Sequence, residues 1–245
     1  MPSHETVTRR HLPHWYMPNA AHFVTYRLYG SLPRSVLEQM QARKESMLAR
    51  KPLPGVSTAQ HRERVHKQLF ALYDKALDED QDACLNDPRI ADVIRSNLYH
   101  HNAVKYHLLA YCLMPNHVHV LLQPIDVAAG GSPAVFATGE PPVATLAVGE
   151  QPDRLSPLAR IMHSLKSYTA HEANRILHRT GPFWQTESYD HWVRDGEELE
   201  RIVGYIRENP VKAGLVQRPE QWPWSSCHDR FLMDSDITGW LNWNS

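Results

Sequence analysis

Apolar and polar residues alternate from His22 to Tyr29, with Val24, Tyr26 and Leu28 on one side and Phe23, Thr25 and Arg27 on the other. Period two in β-branched and aromatic residues, closed by Gly30, predicts a strand. A helix is expected over 33–50, after Ser31-Leu32-Pro33 and before the breaker Lys51-Pro52-Leu53-Pro54-Gly55. Helical spacing resumes over 58–80, where Val65, Leu69, Leu72 and Leu77 gather near one face. Asp87-Pro88 opens a third helix through Ile90, Val93, Ile94 and Leu98, with proline at a favourable first-turn position. Tyr106 to Leu113 and His117 to Leu122 read as strands, and the turn Met114-Pro115-Asn116 makes them an antiparallel hairpin. Further helices are expected over 156–178 (Leu158, Ile161, Met162, Leu165) and 196–209, with an extended strand from Phe183 to Arg194 between them. This order predicts an α+β fold, an antiparallel sheet with helices on one face.

Between the hairpin and the next helix, residues 126–153 lose all periodicity. The pattern A-x-G-x-x-P starts there three times, at Ala128, Ala137 and Ala147, and the stretch contains no basic residue. Such sequence buries too little surface to order itself, so a flexible insertion is expected. The longest apolar run, Leu108 to Met114, is far shorter than the ~20 residues of a membrane span. The first residues hold no apolar stretch of the signal-peptide kind, and the three cysteines form no CxxC pair. A reducing cytoplasm is the expected location.

Formal charge nearly cancels, 26 Lys+Arg against 27 Asp+Glu, which on its own argues against a nucleic-acid partner. The charges are segregated, however. Residues 33–75 hold nine bases and four acids, 76–95 hold six acids and two bases, and 154–194 hold six bases and three acids. Fields act over a Debye length of roughly 8–10 Å, so one basic face is compatible with a neutral total.

The chain contains 16 histidines, and His117-Val118-His119 is the pair whose spacing carries chemistry. On a strand both imidazoles project to one face while Val118 and Val120 turn to the other. Two neutral imidazoles can share a metal ion but do not complete its shell. A second constellation lies on the 196–209 helix. Asp195 and Glu198 have capping spacing, Leu199, Ile202, Val203 and Ile206 form a buried stripe, and Tyr205 and Asn209 are neighbours on its flank. Pro210 is expected to end this helix. By propensity alone, Tyr205 is a core-edge tyrosine and Asn209 a terminator.

The combination changes that. Met114-Pro-Asn-His-Val-His-Val-Leu-Leu122, Leu165-Lys-Ser167, Phe183-Trp-Gln185, Tyr205-Ile-x-x-Asn-Pro-Val-Lys-Ala-Gly-Leu215 and Trp222-Pro-Trp-Ser-Ser226 together resemble the REP-associated tyrosine transposases. These are single-tyrosine members of the HUH (His-hydrophobic-His) endonuclease superfamily. The resemblance runs from about His22 to Ser226, apart from the 126–153 insertion. It implies a ferredoxin-like sheet and a domain over 22–218 with a helical elaboration at 33–100. A segment 1–21 precedes that domain and a Trp-rich tail, 219–245, follows it.

It also implies metal-dependent cleavage of single-stranded or hairpin DNA through a 5′-phosphotyrosine. Carried over by position, His117 and His119 match the metal ligands and Tyr205 the nucleophile. Asn209 stands where the superfamily places a polar third ligand, commonly the longer Gln. Mg²⁺ or Mn²⁺ is the implied ion. Arg160, Lys166, Arg175, Arg179 and Arg194 are candidate phosphate contacts, and Trp184 a candidate base-stacking ring. Both a monomer and a homodimer fit the sequence. The rival expectations are a non-catalytic DNA binder on the same fold and a His-based hydrolase of a small substrate. No HExxH motif supports the last.

Overall fold

The computed structural model describes residues 16–78, 83–125 and 155–228; the low-complexity stretch and both chain ends lie outside the described residues. Four strands, β1 (His22–Leu28), β2 (Tyr106–Leu113), β3 (His117–Pro124) and β4 (Trp184–Trp192), form one sheet in the order β2-β3-β1-β4. Every neighbouring pair is antiparallel. Among the described residues, five α-helices connect or flank them: α1 (Arg34–Ala49), α2 (Thr58–Asp78), α3 (Pro88–His100), α4 (Pro157–Ile176) and α5 (Gly196–Lys212). With α3 and α4 as crossovers, this is the expected ferredoxin-like α+β arrangement, and α1 and α2 are a helical insertion after the first strand.

The expectation of helices on one face is corrected, because the sheet is covered on both. Val24, Tyr26, Val118, Val120 and Leu122 pack against Ile90, Ile94 and Leu98 of α3 and Leu158, Ile161 and Leu165 of α4. The opposite faces of the same strands present Phe23 and Leu121 to Ile206 of α5 and Phe70 of α2. Burial on both faces explains why β2 reads as a nearly continuous apolar run rather than an alternation. A register shift between Leu108 and Ala110 also breaks its period.

Two termini follow local chemistry. Asp195 accepts from the Glu198 amide at 2.7 Å, the expected cap, while the Glu198 carboxylate accepts from the Arg194 amide rather than from Asp195. Pro210 does not stop α5, which runs on to Lys212. Its fixed φ suits a helix, the one lost hydrogen bond is tolerated in a packed site, and the Ala213 and Leu215 amides close the end on Asn209 and Pro210 carbonyls. Residues 222–226 then lie along the free edge of β2. Trp222 donates its indole N–H to Leu113 O, Leu113 N donates to Trp224 O, and Ser226 N donates to Tyr111 O. An otherwise unpaired sheet edge is thereby covered.

Candidate active site

Strand β3 is buried along its whole length, and the alternation His117-Val118-His119-Val120 divides it between two environments. The valines enter the α3/α4 core. The imidazoles face α2 and α5, with Nε2 of His117 and Nε2 of His119 3.0 Å apart. The expected pairing of these rings on one face is observed, at closer range than the strand repeat requires.

Each ring is held through its other nitrogen. Asn116 donates Nδ2 to Leu77 O at 2.8 Å, which fixes its amide so that Oδ1 meets Nδ1 of His117 at 2.6 Å. An amide oxygen only accepts, so His117 carries its proton on Nδ1 and presents a lone pair at Nε2. Burial depresses the basicity of His117, and the neighbouring His119 adds to this, which keeps the ring neutral. Nδ1 of His119 lies 2.7 Å from the Thr25 hydroxyl, which donates to it, while Nε2, facing the His117 lone pair and Asp74, carries the ring proton.

A third donor comes from α2. Asp74 Oδ1 stands 3.3 Å from His119 Nε2 and 4.0 Å from His117 Nε2. The three ligand atoms lie within 4.8 Å of one another, all buried. Asp74 sits on α2 one turn after Phe70 and one before Asp78, and α2 is docked through Val65, Leu69 and Leu77. Sequence reasoning missed Asp74, since in a helix read for its apolar stripe a single acid resembles a solvated charge. The available signal was i, i+4 spacing from Phe70 to Asp74 to Asp78, which places two acids behind an aromatic.

Two imidazoles and a carboxylate make a donor set that could hold a divalent metal ion. Ligands about 2.1 Å from one such ion in adjacent octahedral positions lie about 3 Å apart, close to the 3.0 and 3.3 Å that separate His119 Nε2 from His117 Nε2 and Asp74 Oδ1. Asp74 Oδ1 and Asn209 Oδ1 are buried acceptors without a hydrogen-bond partner among the described residues. A cation would satisfy the first directly. Asn209, 1 % exposed, reaches Tyr205 through its side chain, so Asn209 belongs to the site by proximity to the phenol.

Tyr205 donates its hydroxyl to Asp74 Oδ2 in a short hydrogen bond. Burial raises its proton affinity well above that of a free phenol, and the Asp74 and Asp78 charges raise it further while Asn209 opposes them. Burial works against the charge on Asp74, but hydrogen bonding from His119 and Tyr205 outweighs it and holds the carboxyl below its usual range. The ring of Tyr205 packs edge-on to His119 and Phe23, and Lys212 Nζ lies 5.1 Å from its centroid. Asp78, the next acid along α2, is pushed up to about 6 by burial and by Asp74.

The candidate DNA contacts are not gathered around this centre. Arg160, Lys166 and Arg175 lie on α4, in the layer across the sheet from the imidazoles. Lys166 ties α4 to the backbone carbonyls of Gln185 and Thr186, and Arg175 pairs with Glu172. Arg179 bonds Asn174 and lies over Phe183, while Arg194 lies over Trp192. Trp184 is buried, packed on Tyr26 and bonded through its indole N–H to Thr169, so its ring faces the core rather than solvent.

A ferredoxin-like sheet whose central strand presents two imidazoles to an acid and a helix-borne tyrosine defines an α+β protein with a buried His/His/Asp centre that could hold a metal ion. Among the described residues no helix is long and apolar enough to cross a membrane. No family model matches the chain. It is 27% identical over 131 residues to a REP-associated tyrosine transposase of Haemophilus influenzae, covering 50% of this chain and 60% of that protein. Over 45 residues it is 38% identical to the REP-associated tyrosine transposase of Escherichia coli K12, covering 18% of this chain and 27% of that one. The matches therefore span less than two thirds of either curated relative. A solved REP-associated tyrosine transposase bound to a REP hairpin aligns over 89% of this chain and 83% of its own, with 15% identity and a TM-score of 0.45. The chain is thus similar in sequence to REP-associated tyrosine transposases, the resemblance that its motif string carries.

Proposed function

We propose that this protein is a metal-dependent, tyrosine-dependent nuclease and strand transferase that acts on single-stranded, hairpin-forming repeat DNA. The observation that carries this reading is the hydrogen bond from the Tyr205 hydroxyl to Asp74, the same carboxylate that meets the His117/His119 pair. His117, His119 and Asp74 would hold Mg²⁺ or Mn²⁺, with Asn209 at the phenol's side. When bound, such an ion supplies positive charge that neutralises the scissile phosphate and favours phenolate.

The chain's own residues supply the rest. Asp74 Oδ2 would accept the phenolic proton as Tyr205 oxygen bonds to phosphorus in line, a role supported by their hydrogen bond. The bond from phosphorus to the 3′-oxygen breaks, and that oxygen leaves and is protonated. The 5′-phosphate remains esterified to Tyr205, and attack by another 3′-hydroxyl reverses the step without nucleotide hydrolysis. Phe23 and Phe70 pack against the rings of His119 and Tyr205 and orient them. Lys212 adds a cation beside the ring as negative charge develops on its oxygen.

The test is a labelled hairpin oligonucleotide incubated with Mn²⁺ or Mg²⁺. A DNA–protein adduct that survives denaturation is expected from the wild type and absent from Tyr205→Phe. An adduct unchanged in that variant would overturn the assignment of the nucleophile. Tight binding with no adduct under any metal would favour a non-catalytic DNA binder.

A further inference from the structure

A cavity of about 720 Å³ lies between the α1–α2 pair and the edge of the sheet formed by β1 and β4, and Asp74 is part of its wall. Its volume falls within the range of small-ligand sites. Asp74 thus faces both this cavity and the imidazole pair, so whatever occupies the cavity adjoins the proposed reaction centre.

Three features of the lining point to one kind of occupant. The first is Arg27, which pairs across the sheet with His117 on the same face of β1. Its guanidinium is partly buried, and burial lowers its proton affinity. Its hydrogen bond is to the neutral Ser31 hydroxyl, and no carboxylate pairs with it among the described residues. A partly desolvated guanidinium without a counter-ion is a site for an anion.

The second is an aromatic wall. Phe70 and Tyr189 stack at 4.1 Å with 28° between their planes, and Tyr73 lines the same cavity. The third is Glu187, whose Oε2 is buried with no hydrogen-bond partner among the described residues. It lines the same cavity, in the field of Tyr73 and Lys44. An unsatisfied buried carboxylate oxygen calls for an N–H donor. An anion site, stacking rings and an acceptor for N–H groups are the complement of one unpaired nucleotide: phosphate, base face and base edge.

We infer that the cavity under α1 and α2 holds one unpaired nucleotide of the DNA strand next to the cleaved phosphate, with Arg27 on its phosphate, Phe70, Tyr73 and Tyr189 against its base, and Glu187 on its amino-bearing edge. The inference rests on the proposed DNA reaction and names a subsite for it. It also gives the helical insertion a role: α1 and α2 supply both the third metal donor and the nucleotide wall. Cytosine, with an exocyclic amino group, fits the Glu187 end better than thymine does.

The test uses fluorescein-labelled dC and dT 15-mers bound by the Tyr205→Phe protein, so that binding is read without cleavage. Arg27→Gln is expected to lower the slope of log affinity against log salt by about 1, and Arg27→Lys to restore it. Wild-type Glu187 should favour dC over dT, and Glu187→Gln should narrow that gap. If Glu187 were only a repelling charge, the substitution would strengthen both strands equally, which would overturn its assignment. A dC 15-mer carrying one 5-iodocytosine should photo-crosslink the unsubstituted cavity within the peptides holding Phe70–Tyr73 or Tyr189. Crosslinks confined to other surfaces, with an unchanged Arg27→Gln salt slope, would overturn the inference whatever the variants do to stability. Adduct formation with crosslinks elsewhere sinks the subsite alone. Crosslinks in the cavity with no adduct from the wild type sink the proposed reaction alone.

Discussion

The two faces of one sheet solve opposite problems with the same strands. Toward α3 and α4, residues such as Val24, Val118, Val120, Ile94 and Leu98 are fully buried hydrocarbons that need only shape to be satisfied. Toward α2 and α5, the intervening positions carry Thr25, His117 and His119, whose buried hydroxyl and ring nitrogens need specific partners. The apolar face can therefore provide stiffness without chemistry. The polar face is assembled from four separate parts of the chain, and α2 and α5 complete it. Stability resides mainly in one layer and reactivity in the other, a separation that lets a costly polar cluster persist in the interior.

That separation has measurable edges. Ile94→Ala, in the apolar layer, should cost about 3 kcal/mol in urea unfolding while the folded protein keeps its Mn²⁺ affinity. A parallel fall in affinity would show that the layers are not independent. Asp74→Asn, across the sheet, should weaken Mn²⁺ binding on the order of 10–100-fold by calorimetric titration. Unchanged affinity would place the third donor elsewhere.

Asp78→Asn sharpens the picture through pH. A carboxyl whose folded pKa is raised to about 6 contributes stability that is fully present below the unfolded value near 4 and is lost as pH rises through 6. In EDTA the variant should therefore be about 1–2 kcal/mol more stable than wild type at pH 7.5 and no more stable at pH 4. An equal gain at both pH values would mean that the ionised charge is not the cause. The smallest effect is expected from Arg175→Ala, whose exposed pair with Glu172 should be worth less than about 0.5 kcal/mol in the same unfolding assay, with no change in Mn²⁺ affinity. A larger loss would give the α4 surface a role that its present contacts do not.

The strands, the hairpin turn at Asn116 and the stripes of α3, α4 and α5 were legible because periodicity is a local property set by burial of one face. Pro210 was misjudged as a stop, since a rule about isolated helices does not register a buried last turn packed into a site. The second layer was missed for a related reason: β2 reads as one apolar run, and a run without alternation does not reveal what covers each side. The basic residues of 154–194 looked like one DNA face in sequence, yet α4 carries several of them across the sheet from the imidazoles. Trp184 looked available for stacking and is instead a core residue under α4.

By itself the sequence determined that His117 and His119 share a face, that Tyr205 and Asn209 are neighbours on one helix, and which family the motifs resemble. Those facts follow from the fixed periods of strand and helix and from motif identity. Only the tertiary structure decided that Asp74 joins the imidazoles, that Tyr205 donates to it, and that Asn116 sets the His117 proton. Residues far apart along the chain meet through the packing of α2 and α5 on the sheet, and no local period encodes such a meeting.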